Sequence, residues 1–144
     1  MLSTLRYLFD TNIISTIVKQ PDSAIAHRIA ALDSHQFCTS IIVASELRFG
    51  AYYKNSPKLI KQVEAVLLGF NIIPLEEPVD HHYGEIRTYL QRKGQIIGQN
   101  DLFIAAHARS LDVTLVTANE QEFIRVPKLK VENWLASSYS LPSS

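Results

Sequence analysis

Three acidic residues stand where a carboxylate is costly or conspicuous. Asp10 ends the apolar run "YLFD" and is followed by Thr11 and Asn12. Glu46 lies beside Val43, Leu47 and Ala51, an i, i+4, i+8 row on one helical face. Asp101 follows Asn100 at the head of another apolar, helix-forming stretch. Each has an ordinary structural reading. Asp10 suits the N-cap of the next helix, with Thr11 able to share the capping. Asp101 suits a first turn, where the helix dipole favours an acid, with Asn100 as N-cap. Glu46, close to a buried stripe, needs a partner or an ion. Taken together the three suggest more. Converging carboxylates repel and raise one another's pKa values, and a divalent cation removes that conflict. An all-oxygen donor set selects Mg²⁺ or Mn²⁺. Such an ion activates water and neutralises charge on a phosphate, the chemistry of phosphodiester cleavage.

No Ser–His or Cys–His arrangement competes. Of the five histidines, His81 and His82 are adjacent and the rest isolated, without metal-ligand spacing. His107, in "FIAAHARSL", reads as a packed or surface residue rather than a base.

The acids need elements to position them. "LRYLF" reads as a short buried strand, followed by a helix over "TNIISTIVKQ" that stops near Pro21. "SAIAHRIAAL" is helical by spacing, "QFCTS" a strand, and "IIVASELRFGAYYK" and "KLIKQVEAVLLGF" helices. "NIIPL" is a strand stopped by Pro74, and "VDHHYGEIRTYLQRKG" a long helix closed by Gly94. A helix over "NDLFIAAHARSL" and strands at "VTLVTA" and "LKVENW" complete the order. Short apolar strands alternating with helices indicate an α/β layer fold with a mostly parallel sheet. Functional groups in such sheets gather beyond the carboxyl ends of the strands. Asp10, Glu46, Asp101 and the Thr117–Asn119 stretch would then share one edge.

The 144 residues fit one domain, assigned to residues 1–136, with the polar "SSYSLPSS" at 137–144 as a frayed tail. Composition is globular, at 47% hydrophobic and 19% charged residues. Lys+Arg and Asp+Glu are both 14, so net charge favours no class of partner. The single cysteine, Cys38, excludes an internal disulfide and a cysteine-rich zinc site and is in keeping with the reducing cytoplasm. Neither a signal peptide nor a membrane-spanning stretch is evident.

Four segments carry a family resemblance: "YLFDTNIIS", "TSIIVASELRFG", "IGQNDLFIAAHARS" and "LVTANEQEFIRVPKLKVENW". In order, and over nearly the whole chain, they resemble the motif blocks of PIN-domain proteins, most closely the VapC-type ribonuclease toxins of bacterial toxin–antitoxin pairs. The resemblance implies a PIN-like parallel sheet flanked by helices, generally in a homodimer. It implies Asp10, Glu46 and Asp101 as the core metal-binding acids, with Asn12 and Thr117 in support. The implied activity is Mg²⁺- or Mn²⁺-dependent RNA endonuclease action on tRNA or another structured RNA, restrained by a VapB-like antitoxin. The antitoxin would bring a basic side chain to the acids, and "LRFGAYYK" and "KLIKQVEAVLL" are candidates for its groove or for the dimer face.

The fourth block departs from the family. Where many relatives have "TND", this chain has "TAN", followed by Glu120 and Glu122. Asn119 supplies no charge. Glu122 could replace it, or could complete a capping box, since Asn119 and Glu122 have the N-cap and N3 spacing. That spacing favours the cap. Candidate RNA-binding cations are Arg87, Arg92 and Lys93, ahead of the Asp101 segment, although charged residues of this kind often form only a solvated surface. Tyr52, Tyr53 and Tyr89 could stack on bases or complete an interface. Rival folds fit less well. A haloacid-dehalogenase-type phosphatase needs an acid where Asn12 stands, and a response-regulator receiver needs a Lys that "LVTAN" lacks. A catalytically silent PIN module is the remaining alternative.

Overall fold

The computed structural model describes residues 4–135. The polar tail expected at 137–144 lies outside them. Among the described residues, five short strands form one parallel sheet: β1 (Tyr7–Phe9), β2 (Phe37–Ser40), β3 (Ile72–Ile73), β4 (Thr114–Val116) and β5 (Lys130–Glu132), in the order β3-β2-β1-β4-β5. Seven α-helices accompany them: α1 (Thr11–Lys19), α2 (Ala24–Ala30), α3 (Ile41–Tyr53), α4 (Pro57–Leu67), α5 (Val79–Arg92), α6 (Gln99–Leu111) and α7 (Glu120–Phe123). A 3₁₀ turn at Ser34–Gln36, not apparent in the sequence, leads into β2. None of these helices is long and apolar enough to cross a membrane.

The central strands β1, β2 and β4 are largely buried on both faces, which is why they read as continuous apolar runs. Leu8, Phe9, Cys38, Leu115 and Val116 are fully buried. Phe9 is the hub of an aromatic cluster, with Phe37, Phe70 and Trp134 rings at 5.8, 6.0 and 5.2 Å in edge-on geometry. Serines start three of the helices. Ser23, Ser40 and Ser56 each accept a backbone N–H of the following turn, and Pro57 takes the first position of α4, where its missing N–H does no harm. Gly94, at φ 66°, ends α5 in the left-handed conformation that glycine tolerates best.

Two helix starts differ from expectation. Asn100 is not the N-cap of α6. The helix begins one residue earlier, at Gln99, with extended Gly98 in the cap position and no side-chain cap. The capping box at α7 does not form either. The Asn119 N–H is already bound to Thr117 Oγ1 at 2.9 Å, so Glu122 has no free donor to reach back to. Its Oε1 instead accepts from the Asn119 side-chain amide at 3.0 Å.

Truncating the hub should be severe. Phe9→Ala is expected to lower unfolding free energy by about 3–5 kcal/mol, the usual range for a buried phenylalanine, measured by urea denaturation.

Candidate active site

The chain runs from β1 outward through β2 to β3 on one side, then returns to lay β4 and β5 on the other. The reversal of strand order falls between β1 and β4, the place where open α/β sheets bind ligands. The register pairs Phe9 with Val116. The next residues, Asp10 and Thr117, therefore leave the sheet side by side.

Asp10 is only 3% exposed. Its Oδ1 accepts the Thr11 N–H at 2.7 Å, and its Oδ2 accepts the Thr117 hydroxyl at 2.7 Å. Burial, the largest influence, raises its pKa; the bonds from Thr117 and Thr11 oppose that rise, and the charge of Glu46 adds to it. Asp10 does cap α1, through the Thr11 N–H, and still presents its carboxylate at the sheet edge. The structural and chemical readings of this residue are compatible.

Glu46 is half-buried on α3. Thr11 Oγ1 donates to its Oε1, and Asn100 Nδ2 donates to its Oε2 at 3.1 Å. Thr11 thus bonds to two acids at once, by its N–H to Asp10 and by its hydroxyl to Glu46. Asp101 sits in the first turn of α6. Its pKa is pushed up to about 7, first by burial, then by the charges of Asp10, Glu122 and Glu46, and by a hydrogen bond with Glu122. Four carboxylates therefore share one electrostatic neighbourhood. Asn12 Oδ1 accepts the Ala118 N–H at 2.9 Å and so fastens the start of α1 to the segment after β4.

Among the described residues no group of three or more acidic, histidine or cysteine side chains is placed to hold a metal ion. Asp10, Glu46 and Asp101 offer oxygen donors only, the chemistry that suits Mg²⁺, which keeps several waters and binds through one or two carboxylates.

His107 of α6 and Ser40 at the N-cap of α3 are both buried, with Nδ1 and Oγ 2.8 Å apart. Burial pushes the His107 pKa down to about 4, so the ring is neutral and serves as packing. Cys38, also buried, has its thiol pushed up to about 12 and is inert.

The expected cations lie on α5 and at its C-terminal end. Arg87 donates to Tyr83 Oη at 2.9 Å on the outside of α5. Arg92 and Lys93 line an open cleft at the end of the same helix. Nothing in the sequence marked Thr11 and Asn100 as donors to Glu46. The one available clue was that each sits directly beside an acid.

The PIN-domain family model matches residues 7–129. The chain belongs to the PIN-domain family. Its relatives include VapC ribonucleases. It is 39% identical over 130 residues to Ribonuclease VapC2 of Rickettsia felis, covering 89% of this chain and 97% of that one. It is 31% identical over 131 residues to the tRNA(fMet)-specific endonuclease VapC of Shigella flexneri, covering 90% and 98%. The fold superimposes with a TM-score of 0.84 on a chain of the crystal structure of VapBC2 from Rickettsia felis bound to a promoter DNA fragment, at 35% identity, covering 90% and 99%. The five-stranded parallel sheet described above is that of the PIN fold.

The electrostatics have a measurable consequence in the metal-free protein. Folding raises the Asp101 pKa from 3.8 to about 7, so between these values the folded state binds more protons than the unfolded state. The contribution of this group to stability is therefore present at low pH and falls as pH rises toward 7. In EDTA, Asp101→Asn should melt higher than the unmodified chain at pH 8. The difference should shrink toward pH 4.5, as followed by circular dichroism.

Proposed function

We infer that this chain is an endoribonuclease of the VapC type, the toxin of a toxin–antitoxin pair. It hydrolyses phosphodiester bonds in tRNA or another structured RNA and acts in the cytoplasm. The observation that carries this reading is the convergence of Asp10, Glu46, Asp101 and Glu122 at the reversal point of a parallel sheet. A silent binding module would have no use for so much mutual repulsion.

PIN-domain nucleases of the VapC type generally depend on a divalent metal. Here Mg²⁺ or Mn²⁺ would be held by Asp10 and Asp101, with Glu46 as a ligand or acting through an ordered water. When bound, the ion acidifies a water for attack on phosphorus and neutralises charge on the phosphate oxygens. The protein's own contribution is orientation. Thr117 and Thr11 fix both oxygens of Asp10. Thr11 and Asn100 fix those of Glu46. Asn119 donates to Glu122 and steers that carboxylate toward Asp101. Glu122 thereby supplies the charge that Asn119 lacks, and we assign it as the fourth acid. The VapBC complex among its structural relatives supports a VapB-like antitoxin as partner. A groove between α1, α3 and α4 includes Thr11 and Glu46 in its lining, so a segment lying in it reaches the acids directly. Phe49, Tyr52 and Tyr53, all exposed, stand on the same helix as Glu46 and extend the apolar surface available to that partner.

Cleavage of tRNA should require Mg²⁺ or Mn²⁺ and cease in EDTA. Asp10→Asn, which removes charge and keeps volume, should lower the rate by about a hundredfold or more while the protein stays folded. Undiminished cleavage in EDTA would overturn the metal mechanism.

Glu122→Gln keeps the acceptor for Asn119 but not the charge. It should weaken Mn²⁺ affinity by about tenfold or more, read by calorimetry, with metal-free melting unchanged or slightly raised, since one of the charges repelling Asp101 is gone. A melting loss with intact affinity would return Glu122 to a structural role.

A further inference from the structure

The C-terminal half of α5 carries a cleft that the acidic site does not use. It is an open depression of about 620 Å³ lined by Gly84, Glu85, Thr88, Tyr89, Arg92 and Lys93. Its one acid is already neutralised: Glu85 forms an ion pair with Arg109, whose side chain is buried against α5. Among the described residues neither Arg92 nor Lys93 is in an ion pair. The cleft is thus cationic. Tyr89 is 38% exposed, and Lys93 Nζ lies 5.2 Å from its ring centroid. A partly exposed aromatic ring beside two cations that form no ion pair is the combination that binds unpaired nucleotides, the ring stacking on a base as Lys93 swings from over it to a phosphate, with Arg92 meeting another.

The cleft also lies within reach of the acids. After Lys93 the chain turns at Gly94 and arrives at Gly98, five residues on and at most about 18 Å away. A Cβ at Gly98 would lie 3.9 Å from Asp101 Oδ2. Arg125, just beyond α7, donates to Ile96 O at 3.4 Å and ties this connection to the segment that carries Glu122.

We propose that the α5 cleft is an RNA subsite that holds an unpaired nucleotide flanking the cleavage point, with its base on Tyr89 and its phosphates on Arg92 and Lys93. This rests on the ribonuclease reading above and names the kind of RNA the site takes: one with a single-stranded segment beside the scissile bond. Arg87, held on Tyr83, is outside this subsite.

The test uses the full chain carrying Asp10→Asn, to prevent turnover, and a fluorescein-labelled single-stranded RNA of mixed sequence. Tyr89→Ala should weaken binding about five- to hundredfold, the range for loss of one base–aromatic stack, whereas Tyr89→Phe and Tyr89→Trp should bind nearly as the parent does. Arg92→Gln with Lys93→Gln should reduce the salt dependence, lowering the magnitude of the log–log slope by about 1.4, since each single-strand phosphate contact contributes about 0.7. All these side chains are exposed, and melting curves confirm the fold. In the otherwise unmodified chain, the same changes should slow cleavage of RNA at low concentration without altering its need for metal. Unchanged affinity and salt slope, while the parent still cleaves RNA, would overturn the subsite and leave the ribonuclease reading intact. Altered self-association with unchanged RNA affinity would overturn it in favour of a protein interface. Metal-independent or absent cleavage by the parent would instead strike at the ribonuclease reading itself.

Discussion

A carboxylate with 3% of its surface exposed needs donors, and Asp10 obtains them because β1 lies beside β4. The parallel register carries Thr117 to the same level as Asp10, 107 positions away in the chain, and the hydroxyl closes on Oδ2. The same hydroxyl oxygen accepts the Asn119 N–H and so sets the path into α7. Strand order, the placement of the first acid and the start of the last helix all follow from this one pairing. A shift of one residue would turn Asp10 away from its donor and reverse the faces of every apolar residue in β1.

The remaining acids are arranged around Asp10 at some electrostatic expense. Asp101 records it, since burial and three neighbouring charges make its proton hard to release. Neutral donors, not cations, hold the cluster in place: Thr11, Asn100, Thr117 and Asn119 orient carboxylates without cancelling their charge. Two of the arginines are committed elsewhere. Arg48 forms a two-point bond with Glu64 between α3 and α4, and Arg109 ties α6 to α5. The net charge of zero thus conceals a local negative centre, which an opposing positive ligand can occupy.

The sheet, its helices and the meeting of Asp10, Glu46 and Asp101 could be read from the sequence because each leaves a local trace. Strands show as apolar runs, helices as spaced apolar residues, and acids stand out against them. The donors left no such trace. Asn100 reaches Glu46 across 54 positions, and nothing local distinguishes that asparagine from a helix cap. Glu122 misled for a related reason. Its spacing from Asn119 suited a capping box, but Thr117 had taken the N–H that the box requires. Local patterns describe which bonds are available; long-range contacts decide which are made.

The buried contact between His107 and Ser40 ties the helix bearing Asp101 and Asn100 to the first turn of the helix bearing Glu46. Both side chains are buried, so the bond is sheltered from water. Two of the helices that carry acids are thereby joined before any ligand arrives, and part of the ordering of the site belongs to folding rather than to binding.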